Sequence, residues 1–196
     1  MQLHNIFQWK NLTTFIIWFL IFFILCLLVW LFIKPYYGYI ISYFATKLVC
    51  LVRDFSIKEF ALQEDNLIIQ LTRPIITTKG VADLDVNLQT KISNFTFNMP
   101  LTLSLLFSMR FLIKYSRKII LEAIGLLVII HFLFMFLFVD IYLINITHKS
   151  GPEVMLEEYL WAFVDNLLIR FEPFLIVIYV LMRERILFAP TRQRES

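Results

Sequence analysis

Long apolar runs separated by short polar segments organise this chain. The first, Asn11 to Ile33, reads NLTTFIIWFLIFFILCLLVWLFI and is apolar at nearly every position after Thr14. About 20 such residues carry a helix across the ~30 Å hydrocarbon core of a bilayer. The run is too long and too aromatic for a secretory signal, and no small-residue cleavage pattern follows it. It ends in Lys34, Pro35, Tyr36 and Tyr37, a cation and two tyrosines that suit the headgroup layer. A second run, Met99 to Ile113, is shorter and broken by Arg110. Pro100 fits its first turn, where a missing N–H costs nothing, and Arg110 can extend toward the interface. The third, Ile119 to Val139, carries Glu122 near one end and His131 near the middle. The fourth, about Leu160 to Met182, carries Asp165, Arg170 and Glu172, and only Pro173 to Met182 is free of charge. The pattern predicts a membrane α-helical protein of about four transmembrane helices.

The polar stretch after the first run has a different periodicity. From Tyr39 to Arg53, Ile40, Phe44, Leu48 and Leu51 recur on one face of an amphipathic helix. Strand signals follow: Ser56 to Leu62, a turn at Gln63-Glu64-Asp65-Asn66, then Leu67 to Thr72 ahead of Pro74. Thr78-Lys79-Gly80 reads as a second turn. Between Asp83 and Ile92, Leu84, Val86, Leu88 and Ile92 alternate with polar residues, the period of a half-buried strand. The phase shifts at Ser93-Asn94, so a bulge is expected there, with Phe95 and Phe97 as the next apolar set. Together these predict a small antiparallel β meander in the first extracytoplasmic loop. The expected regions are 1–33, an N-terminal transmembrane helix; 34–98, a juxtamembrane helix with the strand module; 99–182, a three-span membrane region; and 183–196, a basic cytoplasmic tail.

Composition supports the membrane assignment. The chain is 60% hydrophobic, with 21 phenylalanines in 196 residues. A soluble domain of this size would expose too much of that surface. The net charge of +3, with no basic stretch interleaved by aromatics, excludes nucleic acid as an expected partner. The basic residues report topology instead. Arg110, Lys114, Arg117 and Lys118 follow the second run, and Arg183, Arg185, Arg192 and Arg194 follow the fourth. The segment between the third and fourth runs holds Lys149 among Asp140, Glu153, Glu157 and Glu158. Positive charge beside a span stays in the cytoplasm, which places both termini there.

Catalytic signatures are sparse. HExxH, GxSxG, P-loop, GxGxxG and CxxC patterns do not occur. His4, His131 and His148 are not spaced with one another or with cysteine as metal ligands, so neither metal nor cofactor is expected. Ser104, Ser108 and His131 could in principle serve a serine hydrolase, but small polar residues and a buried His also serve helix packing. Cys26 sits half-way along an apolar helix and Cys50 lacks a nearby His, so both read as small apolar side chains. Glu158, Asp165 and Glu172 are spaced by seven and would share one helix face, with Arg170 as their counter-charge. Ionisable groups in a membrane face a partner or water. These four are therefore the candidate partner contacts, Glu172 first, with an interfacial helix bearing a wet face as the plainer explanation.

The lead-in to the second run, Asn94-Phe-Thr-Phe-Asn-Met-Pro-Leu101, resembles that of the exosortase-associated membrane proteins, particularly the kind accompanying exosortase H. The strand Gly80-Val-Ala-Asp-Leu-Asp-Val-Asn87 and the late segment Phe171-Glu-Pro-Phe-Leu175 are similar too. The resemblance covers roughly Phe15 to Arg183. It implies a multi-pass protein of the bacterial inner membrane that accompanies an exosortase-like integral membrane protein in a protein-sorting system. It supplies no catalytic residue. The expected function is thus a non-catalytic accessory subunit embedded in the lipid bilayer. The alternatives are a membrane-embedded enzyme acting on a lipid or peptide, and a structural subunit of an envelope-assembly or transport complex.

Overall fold

A computed structural model describes residues 9–78, 80–112, 116–147 and 152–183. Helix α1, Trp9–Arg53, is a single helix of 45 residues. At 1.5 Å per residue it is about 68 Å long, more than twice the hydrocarbon thickness of a bilayer. The first span and the juxtamembrane helix, expected as two pieces, are therefore one element with Pro35 inside it. A proline removes one backbone bond and fixes φ at a helical value. Helical sequence continues on both sides of Pro35, and the loss of one bond does not break the rod.

Three antiparallel strands follow in the order β1-β2-β3: β1 Ser56–Gln63, β2 Asn66–Thr77 and β3 Gly80–Lys91. The first turn places Glu64 at φ 57°, and Gly80 takes φ 119° where β3 begins. Lys79, from the expected second turn, lies outside the described residues. β2 continues through Pro74 to Thr77, farther than its sequence suggested. Pro74 falls beyond Thr72, where pairing to β1 ends, so it occupies an edge. The alternation along β3 holds: Val86 and Leu88 are buried, Leu84 is half-buried, and Asp83, Asp85, Asn87, Gln89 and Lys91 are exposed.

The bulge expected at Ser93-Asn94 is not there. The register shift lies in β1, between Ile57 and Glu59. The chain leaves the sheet through a short helix, α2, Ile92–Thr96. Helical spacing buries Ile92, Phe95 and Thr96 together and leaves Phe97 exposed, which corrects its assignment to the buried set. Four helical elements complete the fold: α3 Asn98–Leu112, α4 Arg117–Ile146, α5 Pro152–Phe163 and α6 Ile169–Arg183, with a π-helical turn, Val164–Leu168, between α5 and α6. Ser116 caps α4 by accepting a bond from the Lys118 N–H.

Among the described residues, two helices, within Leu12–Arg53 and Arg117–Ile146, are long and apolar enough to cross a membrane. α3 and α6 have 15 residues each, below the roughly 20 that span hydrocarbon unaided.

Two cores are stacked along α4. At the basic end, Leu106 and Met109 of α3 meet Ile119, Ala123 and Leu127 of α4 and Ile176 and Val180 of α6. At the sheet end, Leu67, Ile69, Leu71, Val86 and Leu88 pack with Ala45 and Val49 of α1 and Phe134, Met135 and Leu143 of α4. Gly38 lets α1 meet α2 closely: a Cβ there would lie 2.2 Å from Cγ2 of Ile92.

Candidate functional site

Four helices meet at one buried polar cluster between the two cores. The Tyr37 hydroxyl of α1 lies 2.7 Å from Nδ1 of His131 in α4, at hydrogen-bond distance. The opposite ring nitrogen, Nε2, lies 2.8 Å from Oε2 of Glu172 in α6. Thr102 of α3 donates to the other carboxylate oxygen, Oε1, at 3.2 Å. A carboxylate only accepts, so Nε2 of His131 donates to Glu172, and Nδ1 shares the bond with the Tyr37 hydroxyl. The side chains of His131 and Glu172 are 0% exposed. In apolar surroundings such cross-helix bonds hold helices in register, because every polar group left without a partner is costly. His131, Glu172 and Thr102 are buried, and Tyr37 is half-buried.

A second bond supports it. Pro173 lies inside α6 and has no N–H, so the Ile169 carbonyl one turn earlier loses its helical donor. Asn98, at the start of α3, donates its side-chain amide to that carbonyl. The Asn98-Met-Pro lead-in and the Glu172-Pro173 pair are thus two halves of one junction, joined through Asn98 and Ile169, seventy-one residues apart.

Glu158, Asp165 and Glu172, expected on one helix face with Arg170 off it, differ in burial. Glu158 is exposed, Asp165 half-buried, Glu172 buried and Arg170 exposed. The π-helical turn is the reason. Its i→i+5 bonding, seen in the Ile169 N–H to Val164 carbonyl bond, inserts a residue into the helical repeat and rotates everything after it. Both oxygens of Glu172 are engaged by His131 and Thr102, so Arg170 is not its counter-charge. The turn brings Asp165 and Arg170 to the same cleft, of about 350 Å³. Phe134, Phe138 and Trp161 form its aromatic wall, and Thr90 and Asn94 its far side. The Trp161 ring lies 5.0 Å from Phe134 and 5.9 Å from Phe138, centroid to centroid.

Two ion clusters fix the sheet end. Arg53, at the last turn of α1, donates from Nε to Oδ1 of Asp140 at 2.6 Å and from Nη2 to Oδ2 at 2.9 Å. The same Nη2 donates to Glu157 of α5 at 2.8 Å. This fork ties α1, α4 and α5 together. Lys34 Nζ lies 2.7 Å from Oδ1 of Asp65 in the β1–β2 turn, and Ser93 donates to the same carboxylate. Partial burial pushes the Asp65 carboxyl up, but Lys34 and Ser93 outweigh it and hold the group below its usual value. Tyr37, expected in the headgroup layer, instead meets His131. Thr102, Arg53 and Asp140 did not stand out in the sequence; an ionisable residue near the end of an apolar run was the available signal for Asp140 and Arg53.

The other candidates take structural places. Ser104 and Ser108 donate to the carbonyls of Pro100 and Ser104 in their own helix, away from His131. Cys26 is half-buried on α1 and Cys50 is buried in the sheet-end core. Among the described residues, no group of three or more His, Cys, Asp or Glu side chains could hold a metal ion.

A search of curated proteins and a search of solved structures return no match. The family model described as "Exosortase H-associated membrane protein" matches residues 10–176, most of the chain, from the first turn of α1 to the middle of α6. The chain belongs to the exosortase H-associated membrane protein family.

Proposed function

We propose that this protein is a non-catalytic subunit of a bacterial inner membrane that accompanies an exosortase-like sorting enzyme. The family match carries this reading, because the family is described by its association. The polar cluster supports it: the buried ionisable groups of the helices are engaged with one another. In this reading the chain crosses the bilayer four times, through the first half of α1, α3, α4 and the segment Val164–Arg183. Both termini are cytoplasmic, and the second half of α1 is a strut that carries the sheet outside the membrane. The charge pattern supports that orientation, with Arg110, Arg117, Lys118 and Arg183 gathered at the end remote from the sheet.

The contact with the enzyme falls to surfaces other than Glu172. Glu158 is exposed on α5 and remains a candidate. Within the membrane, a groove of about 380 Å³ runs between α1 and α3, walled by Leu25, Cys26, Val29, Leu103 and Phe107. It offers a seat to an apolar helix of the enzyme. Co-purification in mild detergent tests this. Tagged protein should carry the exosortase-like enzyme with it, and Leu103→Trp, which fills the groove, should lower the recovery several-fold. Arg110→Ala, at the exposed basic end, should not. Failure of the wild-type protein to recover the enzyme would overturn the reading.

A further inference from the structure

We propose that the cleft beside the π-helical turn binds a phospholipid headgroup that carries both a phosphate and an amine, of the phosphoethanolamine type. Three independent observations converge on it.

The first is height. Phe134 and Phe138, in the cleft wall, lie sixteen and twenty residues along α4 from Lys118 at the basic end, and Arg170 lies thirteen residues along α6 from Arg183. These separations are about 24, 30 and 20 Å of helix, against a hydrocarbon thickness of ~30 Å. The cleft therefore opens from the outer part of the hydrocarbon layer toward the headgroups opposite the basic end, and the long Arg170 side chain can extend up to them.

The second is chemistry. In an α-helix, residues five apart point about 140° away from each other. The π-helical turn removes that divergence, and Asp165 and Arg170 line the same cleft. A guanidinium matches a phosphate with paired N–H donors, and a carboxylate matches an ammonium. The faces of Trp161 and Phe138 add an aromatic wall suited to a cation. Asp165 also selects, because it repels a headgroup with negative charge alone.

The third is the surface next to the cleft. Phe171, Phe174 and Ile178 are 51%, 61% and 45% exposed. Together with Arg170 they form one stripe on α6, running from the cleft toward the basic end. An acyl chain lies naturally along this stripe once its phosphate is at Arg170. A free phosphate would gain nothing from it.

The test is native mass spectrometry of the purified full chain, titrated separately with phosphatidylethanolamine, phosphatidylglycerol and inorganic phosphate. One phosphatidylethanolamine should be retained per chain, in preference to phosphatidylglycerol, and inorganic phosphate should not displace it. Arg170→Gln should lower retention about ten-fold, the loss expected when a charge-assisted pair is removed. Asp165→Asn should abolish the preference over phosphatidylglycerol while leaving retention of both. Equal retention of the two lipids by the wild-type protein would overturn the proposal. Displacement by inorganic phosphate would too, as would unchanged retention in a folded Arg170→Gln variant. If that variant does not fold, a photoreactive residue at Phe174 in the otherwise unaltered protein should crosslink to phosphatidylethanolamine; labelling only by phosphatidylglycerol would refute the assignment. Because no sorting enzyme is present in these experiments, their outcome is separate from that of the co-purification.

Discussion

Cutting the buried cluster from its two sides should have unequal costs. In Glu172→Leu, His131 keeps its Tyr37 partner, with one buried Nε2–H left without an acceptor. The Thr102 hydroxyl can return to the Asn98 carbonyl, 3.0 Å away. One unsatisfied buried donor costs about 1–3 kcal/mol. In His131→Leu the carboxylate stays behind, 0% exposed, with Thr102 as its remaining donor. A hydrogen bond to an ionised group is worth about 1.5–3 kcal/mol, and its loss pushes the buried carboxyl toward taking up a proton. The Tyr37 hydroxyl loses its ring partner as well. His131→Leu should therefore be the more harmful single change, and the double variant should be more stable than the sum of the two losses implies, by about 1 kcal/mol or more. Reversible unfolding in mixed micelles measures all three. Equal single losses that add in the double variant would show that His131 and Glu172 do not form a unit.

Three further outcomes follow from the same geometry. Gly38→Ala should destabilise the protein by about 1–3 kcal/mol, because its Cβ meets Ile92, and Ile92→Ala should relieve part of the loss in a melting experiment. Asn98→Leu should cost about 1–3 kcal/mol by orphaning the Ile169 carbonyl that Pro173 leaves free, and Asn98→Leu combined with Pro173→Ala should recover much of it. Asp65 has a depressed native pKa. Its contribution is fully present above the ordinary carboxylate range near pH 4 and is lost as the pH falls through the lower native value. Asp65→Asn should accordingly reduce the steepness of acid destabilisation in a pH series of melting curves, with no such change on the alkaline side.

Local pattern made much of the fold legible. The first apolar run, the alternation from Asp83 to Ile92 and the third run each appear as the expected element, because periodicity reports which side of an element is buried. The continuity of α1 was hidden by Pro35, which breaks helices more often than it rides inside them. The π-helical turn was hidden because nothing local marks an inserted residue, and it separates Asp165 and Glu172 from the face they would share with Glu158 at a spacing of seven. Sequence marks Glu172 as a candidate contact for another membrane protein; in the structure its oxygens meet His131 and Thr102 of the same chain. The pairing of Glu172 with His131 depends on how α4 and α6 dock, which no local pattern encodes. Phe97 was misassigned because a short helix, rather than a bulge, turns the chain after Lys91.

The central architectural claim is that the helices hold the sheet on one side of a membrane and gather the basic residues on the other. Thiol accessibility measures it directly. Cys26 and Cys50, one half-buried and one buried, are first replaced by alanine. Single cysteines are then placed at Thr78, beside the β2–β3 turn, and at Ser116, the cap of α4; both positions are exposed. A membrane-impermeant reagent that passes the outer envelope should label Thr78→Cys in intact cells and Ser116→Cys only after the inner membrane is opened. Labelling of Ser116→Cys in intact cells, or protection of Thr78→Cys, would contradict the claim.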